Sequence, residues 1–192
     1  NLVATGDGTV LAQAPRISLS GDISVAGTPL DPGGQIFVLG DQIALHNAQV
    51  DASGSTGGQI RIGGDYQGQG TLPTATTTTI ASDTVLKAGG LTAADGGEVI
   101  VWADDTTTFL GTLNNPGGFA EISGKNTLDL GSDWSNRIQA GSLLLDPTNI
   151  TIEPGSLSAI VGSPITASTL RSDDITTFLQ GNGNLTVTTA SG

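Results

Sequence analysis

Cysteine and methionine are absent from this 192-residue chain, histidine occurs once, and Lys+Arg total 6 against 18 Asp+Glu, a formal net charge of −12. Without cysteine there is no disulfide, no zinc–thiolate site and no thiol nucleophile. So few cations leave no basic patch to neutralise phosphates, and nucleic acid is not an expected partner. Long apolar runs are also missing. Stretches such as Leu143-Leu144-Leu145 fall far short of the roughly 20 residues that span a bilayer, so no membrane insertion is expected. The opening residues Asn1-Leu2-Val3 carry neither an initiator methionine nor the regions of a signal peptide. A mature product, or a piece of something larger, is expected.

Glycine is abundant, at 29 residues, yet it stays well below one-third and follows no three-residue period, which excludes collagen. An acidic disordered tail is also excluded, because 36% of residues are apolar and many alternate with polar ones. The length suits one sizeable domain, or a slice of a longer repetitive one.

The alternation recurs. Four segments open on Gly-Gly: Gly33 to Asp41, Gly57 to Asp65, Gly96 to Asp104 and Gly117 to Lys125, with a degraded fifth from Ala140 to Asp146. Their openings are 24, 39, 21 and 23 residues apart, so the interval of 39 reads as two repeats. Superposition places Ile36, Ile60, Val99, Ala120 and Leu143 at one position, and Val38, Ile62, Val101, Ile122 and Leu145 two residues later. Positions two apart share one side of a pleated strand, so these aliphatics form a core face. The intervening residues are mixed and face outward.

Short strands and glycine corners repeating every 21–24 residues or so are the pattern of a parallel β-solenoid, with stacked strands about 4.8 Å apart. About eight such coils are expected. The Gly-Gly pairs suit corners that need positive φ or close backbone approach. An antiparallel sandwich is the rival all-β reading, but one phase held over five copies favours the solenoid.

Several of these segments resemble filamentous-haemagglutinin-type exoproteins of bacterial, often cyanobacterial, two-partner secretion systems. They are Asp51-Ala52-Ser53-Gly54, Ile62 to Gly68, Gly96 to Trp102, Glu121 to Lys125 and Leu143 to Ile150. The resemblance covers roughly residues 30–190. It implies a right-handed parallel β-helix, passage through an outer-membrane transporter, a secreted, extracellular or cell-surface location, and work as an adhesin or filament. The family's amino-terminal secretion module is not among these residues.

The C-terminal part reads differently. Leu170, Ile175, Phe178 and Leu179 fall at near-helical spacing, with Ser168 or Thr169 as the cap and Gly181 as the stop. A final strand follows at Asn184 to Thr188. Residues 1–165 are thus expected to form solenoid coils, and 166–192 a short helix plus terminal strand packed on or capping them.

Chemistry-bearing residues are few. Asp41, Asp65 and Asp104 share one phase, with Lys125 there in the next copy. They read either as a solvated corner relieved by an Asp104–Lys125 pair or as carboxylates bridged by calcium, which takes several oxygen ligands. The nonapeptide calcium repeat is absent, so the corner is favoured and no cofactor is expected. Asp104-Asp105, Asp173-Asp174 and Glu98 would be the acids of a β-helical polysaccharide hydrolase, but adjacent aspartates usually form turns. His46 lacks a nucleophile elbow around it, and the runs Thr76–Thr79 and Thr106–Thr108 suit outward strand faces. No enzyme is expected.

Phe37, Leu39, Ile100 and Trp102 carry apolar bulk on the outward face. Either they contact another chain or a surface glycan, or the Leu170–Leu179 segment or a loop covers them. The ends of a solenoid leave strand edges without partners. Ile17 and Leu19 near one end, and Leu185 and Val187 near the other, are the candidates for joining copies of this chain end to end in a filament.

Overall fold

The computed structural model describes residues 2–4, 7–92, 95–155, 168–181 and 183–189. The chain is mostly β. The strands up to the first helix are β1 (Leu2–Val3), β2 (Thr9–Gln13), β3 (Arg16–Ser24), β4 (Gln35–Leu39), β5 (Gln42–Asp51), β6 (Gln59–Ile62), β7 (Thr77–Ile80), β8 (Val85–Lys87), β9 (Glu98–Ala103), β10 (Thr106–Phe109), β11 (Thr112–Gly124) and β12 (Thr127–Asp129). After them come α1 (Trp134–Arg137), β13 (Ile138–Leu145), β14 (Thr151–Glu153), β15 (Thr169–Arg171), α2 (Ser172–Gln180) and β16 (Asn184–Val187). Fourteen strands join one sheet whose described pairs are all parallel, and β14 pairs separately with β15.

Three ladders compose the large sheet. The first runs β2, β4, β6, β9, residues 119–124 of β11, residues 142–145 of β13, then β16. The second runs through residues 16–19 of β3 and 42–45 of β5 to β7, β10 and β12. The third takes β1, the later halves of β3 and β5, β8, and the first halves of β11 and β13. The register of β3 shifts between Leu19 and Gly21 and that of β11 between Asn115 and Phe119. Gly21 (φ 81°) and Gly117 (φ 72°) take the left-handed conformation that bends each strand from one ladder into the next.

The aliphatic phase read from the sequence holds in the first ladder. Val10, Ile36, Ile60, Val99, Ala120, Leu143 and Leu185 stand in one row. All of them belong to the hydrophobic core or pack against it. Burying such side chains, at about 1.5–3 kcal/mol for each large one, is the main force holding the strands together.

Two expectations change. β6 pairs directly with β9, Ile60 opposite Val99, so the interval of 39 residues is one ladder step and not two. Much of its extra length is the excursion from Gly63 to Thr76. The first ladder accordingly has seven strands rather than about eight. The threonine runs do not lie wholly outward either. Thr78 and Thr107 are fully buried in register with Ile43, and their hydroxyls donate to the Trp102 and Ser123 carbonyls at 2.7 and 2.8 Å. A threonine fills the space of a branched aliphatic while satisfying a buried acceptor.

Asn115 interrupts the otherwise apolar interior of the third ladder and is fully buried. Its Oδ1 accepts from Gly97 N–H at 3.0 Å, and its Nδ2 donates to the Gly97 and Phe119 carbonyls at 3.0 and 2.9 Å. Asn115→Ala is expected to cost about 2 kcal/mol in urea unfolding, since three hydrogen bonds vanish into a dry site. Asn115→Asp should cost more, because it places a charge there.

The helix near the C-terminus forms, but later than its spacing suggested. Residues 169–171 are strand β15, paired to β14, and α2 begins at Ser172 with Arg171 as its N-cap. Ser168, read as a cap, instead bonds Leu128: its N–H meets the Leu128 carbonyl and its Oγ accepts the Leu128 N–H. Strand pairing outcompeted the capping signal. Gly181 closes the helix as expected. Phe178 packs on Trp134 with ring centroids 5.7 Å apart, which fastens α2 to α1. The expected boundary at 165/166 lies outside the described residues, and β16 adds to the same sheet as β13.

Candidate functional site

The outward face of the first ladder is not a surface in its second half. Ile100, Glu121 and Ser123 are fully buried, and Trp102, Leu144 and Asp146 nearly so. The cover is the excursion after β6. Asp65 accepts the Tyr66 N–H and caps a short 3-10 turn over Tyr66–Gly68. Gly68 lies flat on Trp102, where a Cβ would sit 2.5 Å from the indole ring. Tyr66 meets Phe119 with centroids 5.9 Å apart. Arg61 anchors the base of the turn by pairing with Asp65 and Glu98.

Of the two readings of Phe37, Leu39, Ile100 and Trp102, the exposed contact face is corrected, and cover by a loop is what Trp102 has. Leu39 is 4% exposed, Trp102 3% and Ile100 0%, while Phe37 is half-buried. Residues 64–70, and not the Leu170–Leu179 segment, cover Trp102. The sequence carried a signal for this: an outward row holding Ile100, Trp102 and Leu144 needs a lid, and the extra-long interval supplies one.

Two acids lie beneath that turn. Glu121 Oε2 accepts the Gln67 main-chain N–H at 2.9 Å, and Asp146 Oδ2 accepts from the Gln67 side-chain amide at 3.0 Å. Gln67 adopts φ 53° to make both contacts. Glu121 Oε1 is buried without a hydrogen-bond partner. The Ser123 hydroxyl lies close enough to favour the carboxylate without closing a bond of good geometry, and Asp146 N–H donates to Ser123 Oγ at 3.1 Å. Burial pushes the Glu121 carboxyl up to about 7 from an ordinary 4.5; the Gln67 N–H and Ser123 oppose this, and Asp146 and Glu98 add to it.

The predicted column of Asp41, Asp65 and Asp104 does not form. Asp41 is followed in its column by Thr76, Asp105 and Asn126, each main-chain N–H donating to the carbonyl before it. Thr76 Oγ1 donates to Asp41, and Asn126 Nδ2 to Asp105 at 3.0 Å. Asp65 has left with the covering turn. Asp104 is displaced by one extra corner residue, and there it accepts from Trp102 Nε1 at 3.0 Å and from Thr74. Among the described residues no ion pair joins Asp104 to Lys125, and no group of three or more His, Asp or Glu is arranged to hold a metal.

The acids weighed for hydrolysis sit on separate elements. Asp104 and Asp105 form the corner between β9 and β10, Glu98 pairs with Arg61, and Asp173 and Asp174 open α2. Asp174 is buried against Ser135, whose hydroxyl donates to it at 3.2 Å; burial raises its carboxyl above the usual range. His46 is exposed on β5, 2.9 Å from Ser18 Oγ.

The candidate joining residues lie at the sheet edges. Among the described residues β2 pairs only with β4, residues 16–19 of β3 only with β5, and β16 only with β13. The edge of β12 is taken by Ser168. Ile17 is 8% exposed, while Leu19, Leu185 and Val187 are partly buried against the core. Leu19 also lines, with Val10, Ala12, Ile23 and Val38, a cavity of about 100 Å³. Val3 and Leu11 nearby are 65% and 56% exposed. No family model matches this chain, and no curated protein sequence matches it.

Proposed function

We propose that the chain is a right-handed parallel β-helix serving as a non-catalytic structural section of an extracellular filament of the filamentous-haemagglutinin type, exported through an outer-membrane transporter. The observation that carries this reading is the aliphatic row kept in register across seven parallel strands, with β2 and β16 each paired on one side only among the described residues. Parallel ladders of this kind continue by adding strands, and an unpaired edge is a template for the next chain. Continuation here places Val10 of one copy over Leu185 of another, and Ala12 over Val187.

Electron microscopy of the chain isolated without refolding tests this. Unbranched rods with an axial repeat of about 34 Å per copy, seven strands at the usual spacing, are expected. Leu185→Lys and Val187→Lys should abolish the rods while circular dichroism keeps the β signal, because a charge then faces the joining copy. Rods unaffected by both substitutions would overturn end-to-end joining through β16.

A surface adhesin that binds glycans is the second reading. Its support is a notch of about 260 Å³ whose lining includes Thr28, Pro29, Gly54 and Leu91. Leu30, 91% exposed, and Leu91, 62% exposed, stand beside it. Glycan-array binding lost in Leu30→Ser and Leu91→Ser would favour this reading over the filament.

A further inference from the structure

We propose that residues 64–70 form a proton-operated latch: the turn stays closed over Trp102 and Phe119 while Glu121 is neutral, and lifts when Glu121 ionises beside Asp146. The inference is independent of the filament reading.

The geometry concentrates the grip of the turn on two acids. Gln67 holds Glu121 through its main-chain N–H and Asp146 through its side-chain amide. Gln67 itself sits in a left-handed conformation (φ 53°) held by these two bonds. Ionising Glu121 strengthens the main-chain bond, so the turn lifts because keeping a carboxylate dry costs more than that bond gains. Asp146 has a second donor in the Thr188 hydroxyl at 2.5 Å, so its charge is served. Glu121 has one donor and one buried oxygen with none. An ionised Glu121 leaves that oxygen charged and dry, and lifting the turn is the simplest way to give it water.

The charged groups around Glu121 come from every element packed there. Glu98 on β9 and Asp146 after β13 both oppose its ionisation. Among the described residues the cation that pairs nearby is Arg61 on β6, bound by Asp65 and Glu98. Burial adds the largest opposition and brings the titration to about 7, where modest pH changes alter its charge. Once the turn lifts, Glu121 returns toward the ordinary carboxylate range.

Hydrogen exchange of the Gln67 amide in the whole chain tests the latch, each rate being divided by the intrinsic rate at that pH. The protection factor of Gln67 is expected to fall by at least tenfold, and by up to about 70-fold for a full return of Glu121 to the ordinary carboxylate range, between pH 5 and 8.5. In Glu121→Gln it should stay flat. Asp146→Asn should move the midpoint of the fall to lower pH, which a merely structural loss would not do. The Ile122 amide on β11 should lose less protection than Gln67, because it exchanges only through global unfolding. A fall shared equally by Ile122, or the same pH response in wild type and Glu121→Gln, would overturn the latch.

Discussion

Gly58→Ala is expected to destabilise the chain by about 3 kcal/mol or more, at the upper end of what overpacking costs, because the atoms in the way are backbone. A Cβ at Gly58 would lie 2.1 Å from the Gly34 carbonyl oxygen and 2.6 Å from the Gly33 carbonyl carbon. Neither can move without breaking the ladder, since the Gln59 N–H donates to that Gly34 carbonyl and the Glu98 N–H to the Gly58 carbonyl. The contact repeats along the stack. A Cβ on Gly97 would lie 2.0 Å from Gly58 O, and one on Gly118 would lie 2.4 Å from Gly97 O. Gly181→Ala is the matched control, with its nearest contact at 3.3 Å, and should cost no more than about 1 kcal/mol. Urea unfolding of both variants measures the difference. Equal midpoints would mean that the glycine column is not a close-packing requirement.

At pH 8, Glu121→Gln is expected to raise stability by up to about 3 kcal/mol, and at pH 4 to leave it nearly unchanged. Glu121 is fully buried and titrates at about 7 in the folded chain against 4.5 for the ordinary group. Between those values the folded state holds a proton that the unfolded state has released, so wild-type stability falls as pH rises. The contribution is complete below 4.5 and lost above 7. Glutamine cannot ionise and mimics the neutral acid, so the variant lacks this decline. Lifting the turn at residues 64–70 relieves the same cost locally, so the global loss is the smaller of the two. Urea titrations at pH 4, 6 and 8 check the slope. A variant less stable than wild type at pH 8 would mean that the carboxylate is stabilised by contacts beyond Gln67.

Much of the core could be read from the sequence. The phase placing Ile36, Ile60, Val99, Ala120 and Leu143 on one side needed only the two-residue period of a strand, and those residues share one ladder. The Gly-Gly openings were readable as corners, though which property of glycine was needed was not. None of Gly34, Gly58, Gly97 and Gly118 has a positive φ; at Gly58, Gly97 and Gly118 close approach of one backbone to the next is what excludes a side chain. The aspartate column failed for a related reason. One extra residue at the corner before β10, and the excursion carrying Asp65 away, broke a register that counting from Gly-Gly assumed to be constant.

The sequence by itself determined what is periodic: the inward aliphatic rows, the glycine corners, the late helix and the scarcity of cations. Each depends on neighbours along the chain or on repetition at a near-constant interval. The tertiary structure alone decided what is aperiodic. The turn at residues 64–70 folds onto residues 30–80 positions later and converts an outward row into an interior. It also places Gln67 over Glu121 and Asp146. The same acid on an open strand would be an ordinary surface carboxylate. Burial beneath a turn from a distant segment is what gives Glu121 its titration near neutrality.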